Sequence, residues 1–321
     1  MGGESARSIG FAPAKAILIG EHFVVSGAIA IAIAINLYAK ASAALAPRGS
    51  ISISAPGLVD GAGPRGARSG GDPFEPLASM TRAFLERYGI DQGVDIRLSS
   101  EIPLSAGLGS SAAIAVSILA ALSGLFGIRL GREEMFDLAF ISERILHGNP
   151  SGIDHATSIY GGAIAYSPSM GFRRLSVDCD ITLIIGDTLR RRSTREQVLK
   201  VQDFLKRNEG IAREAFERIR EISEMAISCL EKGDMRGLGA LMNENQALLS
   251  KVGASSRELD RLIGAALEAG AFGAKLTGAG GGGCMIAIGP QEALDGIEES
   301  IRRAGGVPYR VRMDKVGYRV C

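Results

Sequence analysis

Pro103-Leu104-Ser105-Ala106-Gly107-Leu108-Gly109-Ser110-Ser111-Ala112 is a glycine-rich turn that runs directly into a helical pattern from Ala112 to about Phe126. Gly107 and Gly109 let the backbone bend tightly and come close to a ligand. Ser110 and Ser111 are good N-cap residues for the helix they open. A helix start presents unpaired N–H groups and a partial positive charge, so the turn predicts an anion site, most naturally for phosphate. A Walker A loop would end in Gly-Lys-Ser/Thr, and that ending is missing. The phosphate binder is therefore of another type.

The rest of the chain limits what such a site can serve. Its 321 residues, 46% hydrophobic and 22% charged, suffice for two domains with real cores. Basic and acidic residues nearly balance, 36 against 35, and aromatics are 5%. Neither nucleic acid nor an anionic membrane surface is attracted by such a chain. The longest apolar run, Ala28 to Ile35, is far short of the roughly 20 residues that span a bilayer. Met1 to Ala6 holds no hydrophobic signal core, and Ala6 departs from the myristoylation pattern, so the cytoplasm is expected. Cys179, Cys229, Cys284 and Cys321 are scattered and read as small apolar residues. Three histidines argue against a multi-histidine zinc site.

The first third reads as strands: Ile9 to Ile19, Ala28 to Ile35, Ile51 to Ser54 and Val94 to Leu98. Pro56 to Pro76, rich in glycine, reads as a long loop and a candidate lid. Helical patterns cover Phe74 to Tyr88 and Arg132 to Leu146. After strands at Ala163 to Tyr166 and Ile181 to Ile185, helices dominate from about Arg195. Ile211, Ala215, Ile219, Ile222, Ala226 and Cys229 recur along one helix face. Helices near 234–250 and 256–269 precede strands at 273–277, 284–288 and 307–312. The order predicts two α+β domains, 1–175 and 176–321.

Gly278 to Gly283 formally matches G-x-G-x-x-G, but a strand pattern follows it where a dinucleotide fingerprint needs a helix. The run reads as a wide turn between strands. Its five glycines exceed what a turn requires, which suggests a backbone passing close to a ligand.

Among titratable residues, Lys15 sits inside the apolar run Ala12 to Ile19, in a chain with only eight lysines. A lysine there reaches water from an edge strand, or is a fixed cation beside phosphate or a hydroxyl. Glu143 falls late on a helix, and Asp154 follows the turn residues Gly148 to Gly152. Each has an ordinary reading, as a solvated carboxylate and as an N-cap. Together with Ser111 they offer the oxygen ligands that Mg²⁺ prefers. Glu21-His22 follows the first strand after a glycine and stands where a substrate can be met. The run Arg190 to Arg195 is either a solvated face or a guide for an anionic substrate.

Four blocks together resemble the GHMP kinases, and within them the mevalonate kinase branch. They are Ala12–Gly27, Pro103–Ala112, Glu143–Asp154 and Lys275–Gly283, in family order and spread over nearly the whole chain. The resemblance implies a two-domain α+β fold, a ribosomal protein S5-like domain followed by a ferredoxin-like one. It implies that Pro103, Leu104, Ser105, Ala106, Gly107, Leu108, Gly109, Ser110 and Ser111 wrap the phosphates of ATP. Ser111 and Glu143 would hold Mg²⁺. Asp154 would be the base and Lys15 its neighbour. Glu21, His22, Asp154, Thr194 and Gly280 would lie on the acceptor side. With both Lys15 and Asp154 present, the implied acceptor is the primary 5-hydroxyl of mevalonate. Ala14 and His155 depart from the glycine and asparagine common in the family. Phosphomevalonate, homoserine and sugar kinases, a catalytically silent sensor on the same fold, and a homodimer stay open at this stage.

Overall fold

The computed structural model describes residues 6–56, 72–103, 107–147, 151–191 and 193–321. Strands β1 (Arg7–Ile19) and β2 (Ala30–Ala46) run antiparallel along most of their length. β2 continues well past Ile35 because Ala39, Ala41 and Ala43 keep one face fully buried. Its first half pairs with β5 (Ala163–Ser167) and its second half with β4 (Gly93–Ser100). β3 (Ile51–Ser54) joins β4 in parallel, and β6 (Gly171–Leu175) pairs with β5. The alternation from Ala28 to Ile35 serves two cores. Ile31, Ile33 and Ile35 enter the main one, while Ala30 and Ala32 meet Ile153 in a smaller cluster.

Helix α1 (Glu75–Arg87) precedes β4; α2 (Ser110–Leu125), α3 (Arg132–His147) and α4 (Ile153–Tyr160) follow it. α2 lies directly on β1: a Cβ at Gly10 would collide with the backbone at Ser117 and Ala121. The residue that starts α2 differs from expectation. Its N-cap is Gly109 in the left-handed region, φ 72°, and Ser110 and Ser111 are already helical. Serine is the better capping side chain, but the chain must turn left-handed here, which glycine does without strain. α4 and β6 were not visible as patterns, being short elements among turn residues.

Strands β7 (Thr182–Asp187), β8 (Gly273–Leu276), β9 (Cys284–Ile288) and β10 (Val307–Arg312) form a second, antiparallel sheet in the order β10-β7-β9-β8. Helices α5 (Thr194–Arg207), α6 (Glu209–Lys232), α7 (Met235–Lys251) and α8 (Arg257–Glu268) lie between β7 and β8. α9 (Leu294–Arg303), also unanticipated, precedes β10. With the helices between β7 and β8 taken as one layer, this is the ferredoxin-like β-α-β-β-α-β succession. α6 buries Ala215, Ile219, Ile222 and Ala226, the face its sequence predicts.

The chain then returns to the first sheet, where β11 (Arg319–Val320) pairs with β1. Asp314 anchors this return. Its carboxylate accepts from Tyr38 Oη at 2.6 Å, from Arg319 at 2.8 Å and from the Val316 and Gly317 amides. Of the cysteines, Cys284 is buried as expected, Cys179 and Cys229 are half-buried, and Cys321 is exposed. No helix among the described residues is long and apolar enough to cross a membrane.

Candidate active site

The site is built where β1, the start of α2, the end of α3 and the start of α4 converge. Pairing of β1 with β2 shifts register between Pro13 and Ala14 and again between Ile17 and Ile19, so Lys15 stands between two irregularities. Such bulges re-aim side chains. Lys15 does not reach water from an edge. It is buried, and its Nζ lies 3.2 Å from Asp154 Oδ1. Asp154 is not an N-cap but lies in the first turn of α4, behind Gly152 at φ 79°.

The phosphate turn is tied to the same strand by the Lys15 amide, which donates to the Leu108 carbonyl at 3.0 Å. A Cβ on Gly109 would sit 2.9 Å from Lys15 Cγ and 3.5 Å from Asp154 Cγ. The left-handed glycine therefore lets the helix start touch the Lys15–Asp154 pair. No side chain caps α2, so its first N–H groups remain directed at an incoming anion. Pro103 and Gly107 to Ser111 are described here, whereas Leu104, Ser105 and Ala106 lie outside the described residues, as do Gly148 to Pro150 and most of the Pro56–Pro76 loop.

Glu143 is not a solvated carboxylate. It is 8% exposed, and Ser111 Oγ donates to its Oε2 at 3.3 Å. Burial, helped by the Asp154 charge, pushes its pKa up to about 7, against the pull of Ser111 and Lys15. A carboxylate desolvated beside a second one is a place for a cation. With the Ser111 hydroxyl, Glu143 offers the hard oxygen donors that Mg²⁺ takes alongside phosphate and water. No group of three or more His, Cys, Asp and Glu with metal-holding geometry occurs among the described residues.

A carboxyl with a raised native pKa binds its proton more tightly folded than unfolded. Its contribution to stability is thus greatest below about 4.5 and declines as pH rises through about 7. Metal-free Glu143→Gln is expected to melt close to the parent near pH 5 and higher than it near pH 8.5, where its stability gain reaches up to about 3 kcal/mol. Parallel melting curves across that range would count against a buried, ionising Glu143.

Glu21 and His22 follow β1. His22 has φ 64°, unusual for a side chain with a Cβ, and its Nε2–H donates to the Ala279 carbonyl at 2.9 Å. Glu21 pairs with Lys275 of β8. Burial pushes Glu21 up and Lys275 down, and each charge pulls the other back. Lys275 carries the signal that singled out Lys15, a lysine in an apolar strand, yet sequence reasoning took it only as part of a glycine block. Thr277 was missed as well: its Oγ1 accepts from the Ile17 amide at 2.9 Å.

The 278–283 run is the wide turn between strands that its sequence predicts, joining β8 to β9. The close approach its glycines serve is to protein. A Cβ at Gly280 would overlap the Ala254 carbonyl, one at Gly281 would sit 2.6 Å from Gln197 Oε1, and one at Gly282 2.7 Å from the Arg190 carbonyl. Gly278 faces Gly107, so the two glycine turns meet. Thr194 is exposed at the first turn of α5, behind the Ser193 N-cap and three residues before Gln197, whose side chain stands against Gly281. Arg190 is bound to Glu258 on α8 at 2.7 Å, and Arg192 lies outside the described residues. His155 is buried edge-on to Phe136 and Phe140, away from the reacting cluster.

Comparison with known proteins places this geometry. Residues 76–162 match the GHMP kinases N terminal domain and residues 226–307 the GHMP kinases C terminal. A protein of Thermococcus gammatolerans described as mevalonate kinase is 38% identical, over 98% of both chains. One of Thermococcus sibiricus, of the same description, is 36% identical over 98% of both. The crystal structure of L. major mevalonate kinase in complex with R-mevalonate superposes with a TM-score of 0.83 at 27% identity, covering 94% of each chain. The fold is thus the two-domain α+β GHMP kinase fold, and the chain belongs to the GHMP kinases, among their mevalonate kinase members.

Proposed function

We propose that this chain transfers the γ-phosphoryl group of ATP to the 5-hydroxyl of mevalonate. The observation that carries the reading is the pair of buried Lys15 and half-buried Asp154, 3.2 Å apart, set against the uncapped start of α2. A carboxylate paired with a cation beside an anion site is what a hydroxyl needs to attack a phosphate. The acceptor is supported by relatives described as mevalonate kinases and by the L. major protein, whose structure is described in complex with R-mevalonate.

The residues divide the work. The turn from Pro103 to Ser111 and the α2 amides hold the phosphates in line with the acceptor. Asp154 takes the proton of the 5-hydroxyl as its oxygen bonds to phosphorus and the bond to the β-phosphate oxygen breaks, releasing ADP. Lys15, 3.2 Å from Asp154, orients its carboxylate and offsets charge developing on the transferred group. Ser111 and Glu143 would hold Mg²⁺, which supplies neutralisation of the phosphate charge when bound. Glu143→Gln is accordingly expected to raise the Mg²⁺ concentration for half-maximal rate, and an unchanged metal titration would remove Glu143 from this role. Glu21, His22, Thr194 and Gly280 are proposed for the acceptor side, as the resemblance implies. The division at 175/176 is proposed for the two domains, supported by β6 and β7 falling in different sheets, with β11 returning to the first.

The test is ADP release over (R)-mevalonate, its phosphate, homoserine and galactose. Turnover is expected with mevalonate. Turnover only with another acceptor would overturn the acceptor and leave the kinase; none with any would overturn both.

A further inference from the structure

No chemical step in the reaction as drawn above uses the Glu21–Lys275 ion pair. Both residues are closed to solvent, Lys275 at 0% and Glu21 at 2% exposure. The Lys275 ammonium donates to Glu21 Oε1 and, at 2.6 Å, to its neighbour's carbonyl, Leu276 O. Glu21 Oε2 is buried with no hydrogen-bond partner among the described residues. Desolvation offsets most of the attraction in such a pair, and a partnerless carboxylate oxygen adds further cost. Stability is therefore a poor explanation for it.

Its position is a better one. Glu21 ends the first sheet's β1 segment, and Lys275 belongs to the second sheet. The same two segments are joined by the Ile17 amide to Thr277 Oγ1 and by the His22 imidazole to the Ala279 carbonyl. The Gly20 amide adds a bond to Asn245 Oδ1 at 3.2 Å. Between these bonds His22 is held at φ 64°, a conformation that persists only where its surroundings over-determine it. The phosphate turn is anchored separately, through Leu108 and the Lys15 amide. Loss of the ion pair would thus act first on His22 and on the Ala279 end of the 278–283 turn, while the Lys15–Leu108 bond still anchors the phosphate turn.

We infer that Lys275 is a positioning residue for the reaction: through Glu21 it fixes His22 and the 278–283 turn at the acceptor end of the Lys15–Asp154 site. The inference rests on the acceptor reading above, so turnover of the parent enzyme on mevalonate is measured first, and its absence would be a failure of that reading alone.

The experiment is a double-mutant cycle of Lys275→Met, Glu21→Met and the two combined, with melting temperature, kcat and both KM values for each. Either single change strands a buried charge and is expected to lower the melting temperature. The combined variant replaces the pair by apolar contact and is expected to recover most of that loss. In the combined variant the KM for mevalonate is expected to rise about tenfold and that for ATP to stay within about twofold. Where a single variant folds, its acceptor effect should not add to the other's, since both act through one pair. A combined variant with parental KM for mevalonate overturns the inference, as does a folded Lys275→Met that binds mevalonate normally. Should the combined variant fail to fold, Lys275→Met joined with Glu21→Gln, which removes the ion pair and leaves no buried charge, must show the same KM split; parental values there overturn the inference equally.

Discussion

Asp154→Asn is expected to lower kcat by about a thousandfold while the protein folds and binds nucleotide, the span that a positioned general base supplies being about 10²–10⁴. Asparagine has the shape of aspartate, and its Oδ1 still accepts from Lys15, so the Lys15 ammonium is not stranded. What disappears is the basic oxygen that takes the proton. The change also removes the Asp154 charge, the second cause, after burial, of the high Glu143 pKa. Glu143 should then ionise at lower pH, which favours rather than harms cation and nucleotide binding. Steady-state kinetics and a direct ATP titration separate the two effects. A variant with near-parental kcat would exclude Asp154 as the base.

Gly109→Ala is expected to damage the site by geometry alone. Gly109 has φ 72°, and an L-residue in that region costs about 1–2 kcal/mol. The added methyl would also stand 2.9 Å from Lys15 Cγ and 3.3 Å from its Cε, so Lys15 must move relative to Asp154. Misplacement on this scale lowers kcat by about a hundredfold. Gly127→Ala is the control. Gly127 has φ 66° beyond the other end of α2, with nothing within 4 Å of its added Cβ. Both variants should lose melting temperature to a similar degree, and only Gly109→Ala should lose turnover. Equal kinetics in the two would mean that Gly109 serves the turn and not the site.

The parts of this site that were legible in the sequence are those that break a local rule. A lysine in an apolar strand, paired acids near a turn cluster and glycines before a helix each demand an explanation where they stand. Lys275 broke the same rule, but its partner Glu21 follows a strand of the other sheet, and local pattern carries no information about so distant a contact. The cap of α2 was misassigned for a related reason. Serine has the better local chemistry, whereas the position of Gly109 is set by Lys15 and Asp154, which approach it from β1 and α4. The glycines at 280–282 show the converse. Their need for space was legible, but the occupants of that space, Ala254, Gln197 and Arg190, come from segments far off in the chain. Strand β2 was cut short at Ile35 because Asn36, Tyr38 and Lys40 interrupt its apolar pattern, although the alternate alanines stay buried to Ala43.

The pairing of Lys15 with Asp154 beside the phosphate turn implies not only phosphoryl transfer but a particular oxygen as acceptor. The phosphorus NMR spectrum of the product formed from ATP and (R)-mevalonate reads that oxygen directly. An ester at the primary C5 oxygen gives a phosphorus signal split by the C5 methylene protons, and this is the predicted result. An unsplit ester signal, from phosphate on the tertiary C3 oxygen whose carbon bears no hydrogen, would contradict it.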